Sequence, residues 1–63
     1  MKITLEAARV NVGLTQSEAA DRIGVDKKTL WSWEKGKTVP KIDKIPLICA
    51  TYGRSYDEIK WTR

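Results

Sequence analysis

The sequence predicts a compact all-α domain of five short helices. Three observations lead there. Apolar residues recur at helical spacing, helix-starting and helix-stopping residues punctuate the chain at short intervals, and no segment alternates apolar and polar residues over a convincing strand length. A chain of 63 residues is expected to form one domain, 1–63, burying only about 60% of the surface its unfolded form exposes.

The first helix uses Leu5, Ala8 and Val12 in "TLEAARVNVG" and ends at Gly13, a residue suited to the left-handed position past a helix end. In "TQSE", Thr15 and Glu18 have the spacing of a capping box. Ala19, Ala20 and Ile23 give this second helix its apolar face, and Gly24 stops it. Asp26 caps the third helix, with Val25 and Leu30 placed as a hydrophobic staple. That helix runs to Lys35 and ends at Gly36. Residues 37–41, with Pro40, read as a loop. The fourth helix carries Ile45, Ile48, Cys49 and Tyr52 and ends at Gly53. Its Pro46 is tolerated only in a first turn, which puts Asp43 near the N-cap. Ser55 and Glu58 in "SYDE" form a second capping box and open a fifth helix to about Trp61.

Helices 15–23 and 26–35 are joined by "GVD", three residues including a glycine. This is the sequence form of a helix-turn-helix, about 15–35, whose second helix enters the DNA major groove. Ala20 is small enough for the second helix to cross closely over the first, and Gly24 stands where the turn needs a left-handed backbone. Leu30 and Trp33, three apart, share one inward face. Residues two apart on a helix point about 200° away from each other, so Trp31 cannot share that face. It falls beside Lys27, Lys28 and Lys35, and is expected to be substantially exposed.

Charge singles out the same segment. The net charge is +4. Residues 27–44 hold all of this excess, through Lys27, Lys28, Lys35, Lys37, Lys41 and Lys44 against Glu34 and Asp43. A basic stripe of this kind attracts polyanions. Cations at a helix N-terminus oppose its macrodipole, so Lys27 and Lys28 are better placed if phosphate or bases neutralise them.

Other classes are disfavoured. "MKITLEAARV" has no continuous apolar run of the kind a signal peptide needs, and no stretch approaches the roughly 18 apolar residues of a membrane span. A single cysteine, Cys49, allows no internal disulfide, so cytoplasmic localisation is expected. With no histidine, a zinc site or a Cys/His nucleophile is disfavoured, and Glu18 and Glu58 are better explained as caps than as an acid/base pair. We expect no enzyme activity, catalytic residue, metal, cofactor, small-molecule ligand or membrane partner. Tyr56, Ile59 and Trp61 suit either a core or a dimer seam.

The stretch "GLTQSEAADRIGVDKKTLWSWEKGKTVP" resembles the Cro/C1-type helix-turn-helix family, the lambda repressor-like or XRE group. The resemblance rests on Gly13-Leu14-Thr15-Gln16, Ala20, Ile23-Gly24-Val25, Trp33-Glu34-Lys35-Gly36 and Pro40. Ser55, Asp57, Glu58 and Ile59 match the last helix, so about residues 5–60 are covered. It implies a five-helix lambda-repressor-like DNA-binding domain. Gln16 would contact phosphate; Lys27, Lys28 and Ser32, with Thr29 and Trp31 nearby, would read base edges; Lys35, Lys37 and Thr38 would hold the DNA backbone. Arg9 would pair with Glu34 as a structural link. Two general effects agree: helix N-terminal amides favour phosphate, and a lysine ammonium can donate to guanine O6 and N7. The chain departs from the family pattern at Trp31, where a small or polar residue is usual, at Ser32, where a longer reader is common, and at Ala19, which replaces a common leucine.

The function implied is sequence-specific transcription regulation by a phage or prophage Cro/repressor-like protein that binds a palindromic operator in double-stranded DNA as a homodimer. The alternative is a protein-interaction module, such as an antitoxin, built on the same fold.

Overall fold

Each helix of the computed structural model, which describes residues 2–62, starts and stops on an identifiable local device. Met1 and Arg63, the outermost positions of the expected 1–63 domain, lie outside the described residues. Thr4 caps α1 (Leu5–Asn11), its hydroxyl accepting from Ala7 N–H at 3.0 Å. The capping box of α2 (Gln16–Ile23) is complete: Glu18 N–H donates to Thr15 Oγ1 at 3.1 Å and Thr15 N–H donates to Glu18 Oε1 at 2.9 Å. Asp26 caps α3 (Lys27–Glu34). All four glycines have positive φ, and each follows the last turn of a helix.

At Gly24 the reason is backbone conformation and not space. Its φ is +89°, while the nearest atom to an added Cβ would be Lys44 Nζ at 3.9 Å, an ordinary contact. Any L side chain would be strained there. This turn sets the angle at which α3 leaves α2.

The core gathers Leu5 and Ala8 from α1, Ala19, Ala20 and Ile23 from α2, Leu30 and Trp33 from α3, and Ile48 and Tyr52 from α4 (Ile45–Tyr52). Ile23, Leu30 and Ile48 are at most 1% exposed, and each such side chain contributes about 1.5–3 kcal/mol of transfer free energy. With Ala19 and Ala20 at its contact face, α2 packs closely on both α3 and α4. Val25 lies half-buried against this core, as the staple requires.

Two expectations are corrected, those for Val12 and for the fifth helix. Val12 is 44% exposed: the helical turns end at Asn11, and Val12 follows them, off the core face. Asp43 lies next to the N-cap of α4, as expected, without capping it. A backbone turn, with Lys44 N–H donating to Lys41 O at 2.9 Å, leads into the helix; Lys44 is the N-cap, and no side-chain bond is made there. Pro46 still falls in the first turn, where a missing N–H costs nothing.

The fifth helix is reduced to one 3-10 turn, Tyr56–Glu58, so the described residues contain four α-helices. The Ser55/Glu58 capping box is present, but the chain then turns extended. β2 (Ile59–Lys60) runs parallel to β1 (Ile3–Thr4), with Ile3 opposite Ile59 and Thr4 opposite Lys60. Ile59 is fully buried by this pairing, which closes the two ends of the fold over the core. Tyr56 is 57% exposed and stacks on half-buried Trp61, with ring centroids 5.5 Å apart. Of the Tyr56, Ile59 and Trp61 cluster, only Ile59 is fully core. Among the described residues no helix is long and apolar enough to cross a membrane.

Candidate nucleic-acid interface

The third helix places its side chains in two opposed sets. Leu30 is fully buried and Trp33 is 6% exposed, whereas Trp31 is 39% exposed. Lys27 and Lys28 at the start of α3, and Lys35 just past its end, lie on the surface. The two tryptophans therefore separate as helical geometry requires, one into the core and one among the lysines.

Beneath this outer face, α3 is anchored by a buried charged cluster. Arg9 Nε donates to Glu34 Oε2 at 2.8 Å and its Nη2 to Glu34 Oε1 at 3.3 Å. Arg9 Nη1 donates to Leu14 O at 2.8 Å. The Glu34 side chain is 2% exposed and that of Arg9 is 11%. The hydrogen bond to Glu34 raises the Arg9 pKa further above its ordinary value, against the opposing effect of burial. Gln16 Nε2 joins the cluster, donating to Glu34 Oε1 at 2.8 Å. The first residue of α2 is thus tied directly to the last residue of α3.

The polar side chains on and just after α3 are also held in place within the protein. Thr29 N–H donates to Asp26 Oδ1 at 3.1 Å, and the Thr29 hydroxyl donates to the same carboxylate. These two bonds, the hydroxyl's first, hold the Asp26 carboxyl below its ordinary range. Thr38 Oγ1 donates to Ser32 Oγ at 3.0 Å. Lys37 N–H donates to Ser32 O at 3.0 Å across the left-handed Gly36. The segment after α3 is thereby folded back along the helix, and Lys37 Nζ comes to lie over the Trp31 ring, 5.7 Å from its centroid.

A groove runs between α3 and the following segment, lined by Lys28, Thr29, Ser32, Thr38, Val39, Lys41 and Lys44 among others. Lys41 and Lys44 join the site residues that the sequence points to. They lie in the basic run 27–44, and that run was the signal that could have included them. Gln16, by contrast, is already bonded within the protein. The geometry brings together the start of α3, its outer face and the 37–44 segment as one basic, hydroxyl-lined surface.

Two helices joined by three residues, with the second presenting a lysine-bearing outer face, define a helix-turn-helix. The chain belongs to the helix-turn-helix family of the XRE or Cro/C1 type: the family model described as "Helix-turn-helix" matches residues 5–59. It is also similar to a Methanothermobacter thermautotrophicus (strain Delta H) protein named "Uncharacterized HTH-type transcriptional regulator". The two are 34% identical over 58 residues, covering 92% of this chain and 84% of the relative. No solved structure matches the chain.

Proposed function

We propose that this protein is a sequence-specific transcriptional regulator that acts by binding, with α3 docked in the major groove of operator DNA. The observation that carries the reading is the exposed lysine face of α3, which coincides with the recognition face of a helix-turn-helix. The name of the Methanothermobacter relative supports it.

In this reading Lys27, Lys28 and Ser32 read base edges. The Thr29 hydroxyl hydrogen is committed to Asp26, so Thr29 offers a methyl group and acceptor lone pairs, suited to a thymine methyl or a base amino group. Lys35, Lys37 and Thr38 hold phosphates, joined by Lys41 and Lys44 along the groove. Gln16 meets phosphate through its backbone N–H at the start of α2 or through its second amide hydrogen, since the first is held by Glu34. The eight residues of α3 span about 12 Å, too short to read more than a few base pairs. A homodimer on a palindromic operator doubles that number, with half-sites about 34 Å apart centre to centre.

Selection of binding sites from random duplex DNA tests the proposal. A recovered palindrome with that spacing is the expected result. Recovery of no consensus would refute sequence-specific regulation, and a single half-site that gains nothing from a second would refute the dimer.

A further inference from the structure

A lysine is usually held in place by a carboxylate, which cancels the charge it would offer to DNA. Lys37 is held differently. Its ammonium lies over the face of Trp31, 5.7 Å from the ring centroid, within the range of a cation–π contact. It makes no ion pair among the described residues. Of the acidic residues in its own segment, Glu34 is taken by Arg9 and Gln16. A π face orders a cation through its quadrupole while leaving its charge whole. The backbone around it is equally constrained: Lys37 N–H is bonded to Ser32 O, Gly36 has a φ of +75°, and Thr38 is tied to Ser32. A free lysine loses the freedom of its long stem when it meets a phosphate. Lys37 has surrendered part of that freedom before DNA arrives.

We propose that Trp31 is a positioning residue: its ring holds the Lys37 ammonium, still fully charged, on the outer side of α3 where it meets a phosphate of the DNA backbone. This rests on the DNA-binding reading above and changes the role of Trp31 within it, from reading bases to preparing a backbone contact.

The test is a double-mutant cycle on full-length protein, with Trp31→Leu, Lys37→Ala and the double variant. Affinity is measured over a range of salt for a duplex recovered by the selection above and for a random duplex. Thermal unfolding confirms that each variant is folded. Trp31→Leu is expected to weaken both duplexes alike, by about two- to five-fold, and to have no further effect once Lys37 is alanine; Trp31→Phe, which keeps a π face, should recover part of the loss. In the free protein the Lys37 Cε protons should show an upfield ring-current shift that Trp31→Leu abolishes. Losses that simply multiply, or a Trp31→Leu defect confined to one base pair, would overturn the positioning role while leaving the DNA-binding reading intact. Failure of the wild-type protein to bind any duplex would overturn both.

Discussion

Arg9 in α1 grips Glu34 at the end of α3 through two nitrogens, at 2.8 and 3.3 Å, and so fixes the C-terminal end of α3 to α1. Both side chains are largely out of water, so the pair is worth most as a constraint: taking two charges out of solvent offsets much of their attraction. Removing one partner is a different matter. Arg9→Met should cost about 3–5 kcal/mol, because the Glu34 carboxylate is left buried with only Gln16 to serve it. Adding Glu34→Leu to Arg9→Met should recover part of the loss. Urea unfolding of the two variants measures both, and a loss under about 1 kcal/mol for Arg9→Met would contradict this account.

The two tryptophans of α3 should respond oppositely to truncation. Trp33 is 6% exposed, and Trp33→Ala should cost about 3–5 kcal/mol, enough to unfold much of so small a protein. Trp31→Ala should stay within about 0.5–1 kcal/mol of the parent, since Trp31 lies outside the buried core. Calorimetric melting compares them directly. Equal losses would mean that both rings are structural.

Reading and holding should separate between Lys28 and Lys37. Lys28→Ala is expected to relax preference at particular base pairs, by about 1–3 kcal/mol for a specific contact. Lys37→Ala should weaken all sequences alike and make the slope of log affinity against log salt shallower by about 0.9. Binding to a panel of single-base operator variants distinguishes the two. Uniform loss in both variants would remove Lys28 from the base readers.

Tyr52 predicts an alkaline limit to stability. Its hydroxyl is buried with no hydrogen-bond partner among the described residues. Burial first, and then the nearby Glu34 charge, push its pKa from 10.0 to about 12. A raised pKa in the folded state means that the stabilisation is complete below 10.0, where both states are neutral. It is lost as pH rises towards about 12, because the unfolded chain ionises first. Tyr52→Phe should flatten this part of the pH–stability curve. It should also leave stability at neutral pH unchanged or raised, since an unpartnered buried hydroxyl costs about 1–3 kcal/mol. A marked destabilisation at neutral pH would show that the hydroxyl has a partner.

Much of the fold was legible because its signals are local. Thr15 with Glu18, Ser55 with Glu58, and Asp26 act within one turn of their own chain, so their spacing alone identified them as caps. The glycines that end the helices are likewise read from their neighbours. The inward Trp33 and outward Trp31 followed from the helical period. Local signals could also mislead: Val12 has the right spacing but follows the end of α1.

By itself, then, the sequence determined the bounds of α2 and α3, which face of α3 is buried and where the positive charge collects. These depend on contacts within a few residues, whose geometry is set by the helical repeat. Only the tertiary structure decided that Ile3 pairs with Ile59, replacing the end of a fifth helix by a strand. Strands of two residues have no periodicity to read, and their stability comes from a partner at the far end of the chain. The same holds for the bond between Gln16 and Glu34 and for Lys37 resting on Trp31. Those contacts exist because α1, α2 and the turn after α3 converge on one helix, and convergence depends on how the helices pack.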